Sequence, residues 1–321
     1  MRVRPIVAFS VIAASAILLA GCSTPSEPSG ASAAPSPTGA PGDLCAAAIA
    51  DGAVVDSVKV TGDAGKTPEV EFATPLQITA PERTVLKSGE GKLENGDFVL
   101  YAYTIYDGSS GEEISSKGYK PGELLPEQAS PDGNGQLFGC EGPGARIAAV
   151  APPQENIPGG VVYVLDILKT VPTSAWGEQQ EPTEGMPEVK LGDDGAPTIT
   201  IPDADPPKEV TLATLKKGDG ATVEPGDTVL VQYTGVRWST GEVFDSSWKT
   251  GVPASFQTTG VVEGFKQALE GYTVGSQVEV VMPPKAGYGE GEINETDLKG
   301  ETLVFVVDIL GTQHADAAPA Q

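Results

Sequence analysis

The sequence contains a single histidine, His314, and that residue lies in a polar C-terminal tail. Ser/His/Asp triads, Cys/His pairs and histidine-based metal sites all require an imidazole beside other functional groups, so we exclude these kinds of site. The phosphate-binding pattern G-x-x-x-x-G-K-[ST] is absent from the sequence as well. We therefore expect a function that needs no metal, no nucleotide and no other cofactor.

Basic residues are scarce too. The chain has 20 Lys and Arg against 44 Asp and Glu, which gives a net charge of −24 at pH 7. Such a charge would repel the phosphates of a nucleic acid, so we expect no nucleic-acid partner. Aromatic residues make up only 6% of the 321 residues, whereas glycine (40) and proline (28) are frequent. We therefore expect long flexible connectors. A chain of this length is typical of about two domains.

The first residues have the pattern of an export signal. Arg2 and Arg4 precede an apolar run, Ile6–Ala20, that is too short for a comfortable membrane span. The run leads into Leu19–Cys22, which resembles the lipobox of bacterial lipoproteins, and acylation of Cys22 would anchor the protein to the membrane. The alternative is an ordinary signal peptide in which Cys22 is incidental. The pattern favours an extracytoplasmic, lipid-anchored protein.

Two further cysteines, Cys45 and Cys140, remain after Cys22. An even number of cysteines in an oxidising compartment indicates a disulfide between them. Two free, buried thiols are the alternative.

The two halves of the chain contain matching patterns. The β-branched run 161–168 parallels 303–310, and the segment 144–153, which ends in Pro-Pro, parallels 275–284. Residues 97–103 match 227–233 in the same relative place. We predict two related β-rich domains. The predicted segments are a signal peptide (1–21), a flexible tether (22–43), the first domain (44–171), a flexible linker (172–206), the second domain (207–313) and a tail (314–321).

Within the second domain, Phe265, Ala268 and Leu269 recur at helical spacing and predict a short helix within Val262–Glu270. Alternating or β-branched runs predict strands at Val210–Leu215, Thr228–Thr234, Val252–Gln257, Ser276–Met282 and Thr302–Gly311. One short helix among several antiparallel strands predicts an α+β fold. We expect each domain to be an antiparallel half-barrel sheet that wraps a short helix.

Five segments of the second domain, taken in order, resemble those of FKBP-type peptidyl-prolyl cis/trans isomerases. They are Val231–Gly235, Gly241–Ser247, Val261–Leu269, Met282–Gly289 and Thr302–Phe305. The resemblance implies an enzyme that acts on proline-containing polypeptides and assists the folding of exported proteins at the cell envelope. It also implies a pocket that macrolide inhibitors of this family could enter.

The resemblance also implies the roles of individual residues. Phe265 would form the floor under the proline ring, where the family usually has tryptophan, and Asp245 would lie near the rotating carbonyl. The hydroxyl of Tyr288 and the backbone N–H of Val262 would donate to the substrate carbonyl. The implied catalytic residues are Tyr233, Phe244, Asp245 and Tyr288, and the implied substrate-binding residues are Phe256, Val261, Val262, Phe265 and Phe305.

Some positions depart from the family pattern. Ala254 stands where the family usually has a second aromatic residue, and the loop Glu290–Leu298 is acidic where the family is usually apolar. Ile293 or Leu298 would refill part of the pocket wall. We expect these departures to affect which substrates the pocket prefers and how tightly it binds macrolides.

The first domain lacks most of the implied site. It has Ile114 and Ser115 opposite Phe244 and Asp245, and Ile157 opposite Tyr288, while Tyr103 matches Tyr233. We find no counterpart of Phe265, and we expect this domain to be an inactive spacer or a substrate-binding arm. Two alternatives to an enzyme remain for the whole chain: a non-catalytic chaperone or peptide-binding lipoprotein, and a purely structural envelope lipoprotein.

Overall fold

The computed structural model describes residues 42–315, with the exception of 156, 295 and 296. The predicted signal peptide, most of the predicted tether and the lipidation candidate Cys22 lie outside the described residues. In the part of the chain that is described, no helix has both the length and the apolar character needed to cross a membrane.

The described residues up to 171 form a small first module with two β-sheets and three single-turn helices. The helices are α1 (Leu44–Ala47), α2 (Ala53–Asp56) and α3 (Gly135–Phe138), and the strands are β1 (Lys59–Thr61), β2 (Glu69–Glu71), β3 (Glu82–Lys87), β4 (Phe98–Asp107), β5 (Glu113–Lys117), β6 (Glu127–Gln128), β7 (Arg146–Ala151) and β8 (Val161–Val171).

The second module follows from residue 172 and repeats the arrangement. Its elements are β9 (Glu178–Gln179), β10 (Glu188–Leu191), β11 (Pro197–Thr200), β12 (Thr211–Lys217), β13 (Thr228–Arg237), β14 (Val243–Ser246), β15 (Ala254–Gln257), α4 (Glu263–Gln267), β16 (Gln277–Met282) and β17 (Leu303–Gln313), with short 3-10 turns at Ser247–Lys249, Thr258–Gly260 and Pro284–Ala286.

The main sheets of the two modules have one strand order. The first runs β3-β7-β8-β4-β5 with β6 on β4, and the second runs β12-β16-β17-β13-β14 with β15 on β13. All of these pairs are antiparallel, and both long central strands carry a bulge at the same place, after Leu100 and after Leu230. We call two residues equivalent when they occupy the same place in the two registers, as Tyr103 and Tyr233 do.

The inner face of the second sheet packs on α4, which is shorter than the predicted helix. Phe265, Ala268 and Leu269 are all buried there, as their spacing predicts. Close approach of the helix requires Gly264, because a Cβ atom at that position would lie 2.5 Å from the Cβ of Met282 on β16. The helix therefore lies directly against the sheet, and it carries Phe265 into the core.

In the first module, two single-turn helices from distant parts of the chain pack together on the inner face. Helix α1 buries Leu44 in the same core cluster as Phe138 of α3, and the N–H of Ile49 donates to the carbonyl of Gln136 at 3.0 Å. The structure contains a disulfide between Cys45 and Cys140, which ties α1 to the end of α3.

The segment 172–206 is not the flexible linker that its polar composition predicts. Strand β9 pairs with the edge of β12, and the hairpin of β10 and β11 lies on the outer face of the second sheet. Ile199 of the hairpin is buried against Val236 and Trp238, and the indole Nε1 of Trp238 donates to the carbonyl of Ala204. A two-stranded hairpin with one apolar face needs few aliphatic residues, which is why the composition was misleading.

Candidate active site

Five aromatic side chains from five different elements meet on the inner face of the second sheet and form a cup. Phe265 and Phe305, each 5% exposed, lie at its base, and the other three rings are half-buried around them. Most neighbours are close to edge-to-face, the arrangement that favours aromatic pairs. The centroid distances are 5.2 Å for Phe265–Phe305, 5.4 Å for Phe244–Phe305, 5.7 Å for Tyr233–Phe256, 5.8 Å for Phe256–Phe265 and 6.0 Å for Tyr233–Phe265.

Gly235 makes room for two of these rings. It pairs with Phe305 on one side and with Asp245 on the other, and a Cβ atom there would lie 2.7 Å from both the Phe244 and the Phe305 rings. The equivalent residue in the first module is Ile105. Glycine inside a strand often marks such a close approach, and this is the signal in the sequence that could have identified the position.

At the edge of the cup, the hydroxyl of Tyr233 donates a hydrogen bond to Oδ2 of Asp245 at 2.7 Å. Burial, and after it the Asp245 carboxylate, raise the pKa of Tyr233, so its hydroxyl stays protonated and remains a donor. The backbone N–H of Tyr233 donates to Oγ of Ser247 at 2.9 Å, and the Ser247 hydroxyl donates to the side-chain carbonyl of Gln232. These bonds fix β13 against the segment that carries Asp245.

Val261 and Val262 are half-buried and pack against the same core cluster. Val262 precedes the first turn of α4, and within the described residues we find no acceptor for its backbone N–H. That donor is therefore free for a ligand. Tyr288 is 49% exposed and lies near enough to Tyr233 to contribute to the rise in that residue's pKa. No ring contact in the described part of the chain joins Tyr288 to the cup.

The loop after Tyr288 supplies the remaining wall. Leu298 packs against the core cluster, whereas Ile293 is 57% exposed, so Leu298 is the aliphatic residue of this loop that closes the wall. The N–H of Gly300 donates to the carbonyl of Gly289 at 2.9 Å and closes the base of the loop.

Arg237, at the end of β13, ties this loop to the sheet. Its guanidinium donates to the carbonyls of Asn294 at 3.0 Å and Asp297 at 3.2 Å. The same group lies 3.9 Å from the buried carboxylate of Glu301, which also accepts a hydrogen bond from the Ser239 hydroxyl at 2.6 Å. Sequence reasoning missed Arg237 and Glu301, because the acceptors of Arg237 lie 57 and 60 residues further along the chain and no local pattern links them to it.

The equivalent surface of the first module has different chemistry. Ser115 is equivalent to Asp245, and Glu127 is equivalent to Phe256, while Tyr163 is equivalent to Phe305. The Glu127 carboxylate accepts a hydrogen bond from Tyr101 at 2.9 Å, and the Tyr101 ring lies 5.2 Å from Phe138. The module thus fills the corresponding space with its own side chains and lacks the carboxylate at the position of Asp245.

Comparison with known proteins adds an independent finding. The family described as FKBP-type peptidyl-prolyl cis-trans isomerase matches residues 220–310. A probable FK506-binding protein of Corynebacterium glutamicum is 37% identical over 114 residues, which are 36% of this chain and 96% of that protein. An FK506-binding protein of Streptomyces anulatus is 38% identical over 117 residues, 36% of this chain and 94% of that protein.

A more distant relative is the outer membrane protein MIP of Legionella longbeachae. It is 35% identical over 109 residues, which are 34% of this chain and 46% of that protein. Among solved structures, the crystal structure of FkpA from Escherichia coli is 27% identical in sequence, and the alignment covers 39% of this chain and 51% of the FkpA chain. The TM-score of 0.30 is too low to establish a shared fold.

Proposed function

Because this chain belongs to the family of FKBP-type peptidyl-prolyl cis-trans isomerases and is a prolyl isomerase, we propose that residues 207–313 carry the activity. The aromatic cup is the observation that carries this assignment. It brings together Tyr233, Phe244, Phe256, Phe265 and Phe305, with the carboxylate of Asp245 at its edge.

The cup suits a reaction in which no bond is made or broken. Rotation about an amide costs about 18–20 kcal/mol because resonance is lost, and an enzyme lowers this barrier by binding the twisted amide better than the planar one. In our proposal, Phe265 supports the proline ring, and the apolar walls disfavour the polar, planar amide. Tyr288 and the free N–H of Val262 donate to a backbone carbonyl of the bound substrate and hold the peptide in place, while Asp245 lies near the carbonyl that rotates.

We further propose that the first module is an FKBP-like domain without isomerase activity. The shared strand order supports a common fold, and Ile105 and Ser115 support the loss of the site. An isoleucine in place of Gly235 would occupy the space between the two rings, and a serine cannot supply the charge of Asp245.

Acylation at Cys22 and work on exported polypeptides at the cell envelope also remain proposals. The sequence pattern before Cys22 supports them, as does the name of the outer-membrane relative. Replacement of Cys22 by serine should move the protein from the membrane fraction to the soluble fraction. An unchanged distribution would contradict the lipid anchor. The entry of macrolide inhibitors into the cup is proposed on the family resemblance alone, and inhibition of the isomerase by such a compound tests it.

The experiment that tests the assignment to one module is a prolyl isomerisation assay on residues 42–171 and 172–315 made separately. The second fragment begins at 172 because the hairpin of β10 and β11 covers the outer face of its sheet. We expect activity in the second fragment alone, with folding of both checked by circular dichroism. Activity in neither folded fragment would contradict the proposal, and activity in the first would contradict the reading of its site.

A further inference from the structure

The two modules meet through an apolar interface. Phe98 and Val171 of the first module pack against Leu230 and Leu310 of the second, and Leu100, Leu125 and Trp176 surround them. Leu100 and Leu230 are equivalent residues, so in each module the residue just before the bulge of the central strand faces the other module.

A groove opens beside this interface, and both modules line it. Its volume is about 440 Å³, within the range of sites that bind ligands of moderate size. Apolar side chains dominate the lining, among them Leu100, Leu124, Val171, Ala221, Val274 and Leu310. Leu100, Val171 and Leu310 belong to the interface as well, so the groove continues the apolar surface on which the modules meet.

Both walls of this groove are fixed by bonds within the chain. The backbone N–H groups of Gly118 and Lys120 donate to the Glu123 carboxylate at 2.9 and 3.1 Å, which closes the loop of the first module that forms one wall. Pro126 packs on Gly311, where a Cβ atom would lie only 2.5 Å from the proline ring. The N–H of His314 donates to the carbonyl of Gly122 at 2.7 Å and joins the two walls. The groove is therefore preformed.

The charges around the groove favour some occupants over others. Among the described residues, Lys120, Lys169 and Asp219 are the charged residues of the lining, and Lys120 lies 3.9 Å from the carboxylate of Glu123, so the groove carries little net charge in a chain of net charge −24. A second copy of the chain would bring the same large negative charge, which disfavours self-association. An apolar polypeptide segment without excess charge meets no such barrier and would cover surface that is otherwise exposed.

The groove and the aromatic cup use different parts of strand β17. Leu310 is five residues beyond Phe305 on β17, which corresponds to about 16 Å at the rise of a strand. Occupation of the groove therefore does not require occupation of the cup.

We propose that this groove binds an extended apolar segment of an unfolded polypeptide, as a second contact for clients of the isomerase. The proposal rests on the proposed function only for the identity of the client. A second site on the same chain would raise the local concentration of prolyl bonds near the cup without any change in the cup itself.

The test uses the chain without residues 1–21 and a fluorescein-labelled peptide that is rich in leucine and valine and contains no proline. We expect fluorescence anisotropy to show saturable binding to the wild type. Ala221→Arg, which fills the groove, and Leu124→Asp, which places a charge in it, should each weaken binding at least about tenfold, or about 1.4 kcal/mol. The matched controls Ala196→Arg and Leu191→Asp, both on the hairpin of β10 and β11, should bind as the wild type does.

Isomerase activity on a short prolyl peptide separates this proposal from the proposed function. Ala221→Arg should retain that activity, and Asp245→Ala should retain binding of the proline-free peptide. The proposal is overturned if the wild type does not bind the peptide, or if the groove variants bind it as tightly as the wild type does. Either result has this meaning whatever the isomerase assay gives. Two further results also overturn it: self-association of the wild type that Ala221→Arg abolishes, and binding that appears only after removal of residues 316–321.

Discussion

The hydroxyl of Tyr233 donates to the carboxylate of Asp245 at 2.7 Å, at the edge of a cup made of aromatic rings. The equivalent residues of the first module are Tyr103 and Ser115, so the tyrosine is present in both modules but its carboxylate partner only in the second. This difference between two similar sheets is the basis of our proposal that the second module carries the activity.

Tyr233→Phe should lower kcat/KM on a prolyl peptide by about tenfold while it leaves the fold intact. The substitution keeps the ring that packs on Phe256 and Phe265, and it removes a hydrogen bond to a charged acceptor, worth about 1.5–3 kcal/mol where it is buried and less at this half-exposed edge. A coupled proteolytic assay gives the rate, and thermal denaturation gives the stability. The matched control is Tyr103→Phe in the first module, and an equal loss in that control would contradict the account.

Arg237→Gln should raise KM more than it lowers kcat. The guanidinium holds the carbonyls of Asn294 and Asp297, and thereby the loop that carries Leu298 to the wall of the cup. A misplaced wall weakens the binding of the substrate, whereas the base of the cup is untouched. Arg237→Lys, which can reach one carbonyl but not both, should be intermediate. The surface variant Lys285→Gln serves as the control, and a pure loss of kcat in Arg237→Gln would show that the arginine has another role.

Glu279 should make the second module less stable as the pH rises. It lies on β16, 1% exposed, with Oε1 lacking any hydrogen-bond partner in the described chain, and burial raises its pKa to about 8. In the unfolded chain it ionises near pH 4.5, so the free energy of unfolding falls by up to about 1.4 kcal/mol per pH unit from there to about pH 8 and then levels off.

Glu279→Gln removes this titration. It should therefore raise Tm more at pH 9 than at pH 5, by about 3 °C or more in a module of this size. The equivalent residue in the first module is Ala148, which does not titrate. Differential scanning calorimetry at the two pH values measures the effect, with the exposed Glu224→Gln as the control. A gain in Tm that is larger at pH 5 would contradict the assignment.

Removal of the disulfide should destabilise the first module selectively. Cys45 and Cys140 are 95 residues apart, and closure of a loop of this length is worth about 4–5 kcal/mol in the chain-entropy picture. The double variant Cys45→Ser/Cys140→Ser should lower the Tm of the first module, while the isomerase activity of the second stays unchanged. Loss of activity in step with that Tm would instead show that the two modules depend on each other.

The local pattern of the sequence was sufficient for five strands of the second module, β12, β13, β15, β16 and β17, and for the buried face of its helix. Phe265, Ala268 and Leu269 are buried as their spacing predicts, because that periodicity depends only on neighbouring residues. The same holds for the strand that contains Tyr233. The family resemblance added the set of cup residues, and the structure brings five of their rings into contact.

Features that depend on long-range pairing could not be predicted in this way. The hairpin of β10 and β11 gains its stability from contact with Val236 and Trp238, so its own sparse pattern of apolar residues resembles that of a linker. The glycine inside a strand is visible in the sequence, but which rings approach Gly235, and that Ile105 is its equivalent, appear only when the strands on both sides are known. Arg237 was missed for the same reason, since its acceptors lie on a loop far along the chain.

The most direct test of the central claim is the rate of cis/trans exchange of a short prolyl peptide, measured by NMR exchange spectroscopy in the presence of the chain without residues 1–21. The comparison is with Asp245→Ala/Phe265→Leu, in which leucine keeps the core filled, and with the control Ser115→Ala. We predict that the wild type and the control accelerate the exchange, and that the double variant loses about a hundredfold in kcat/KM, or about 2.7 kcal/mol. No acceleration by the folded wild type, or an undiminished rate in the double variant, would contradict the account.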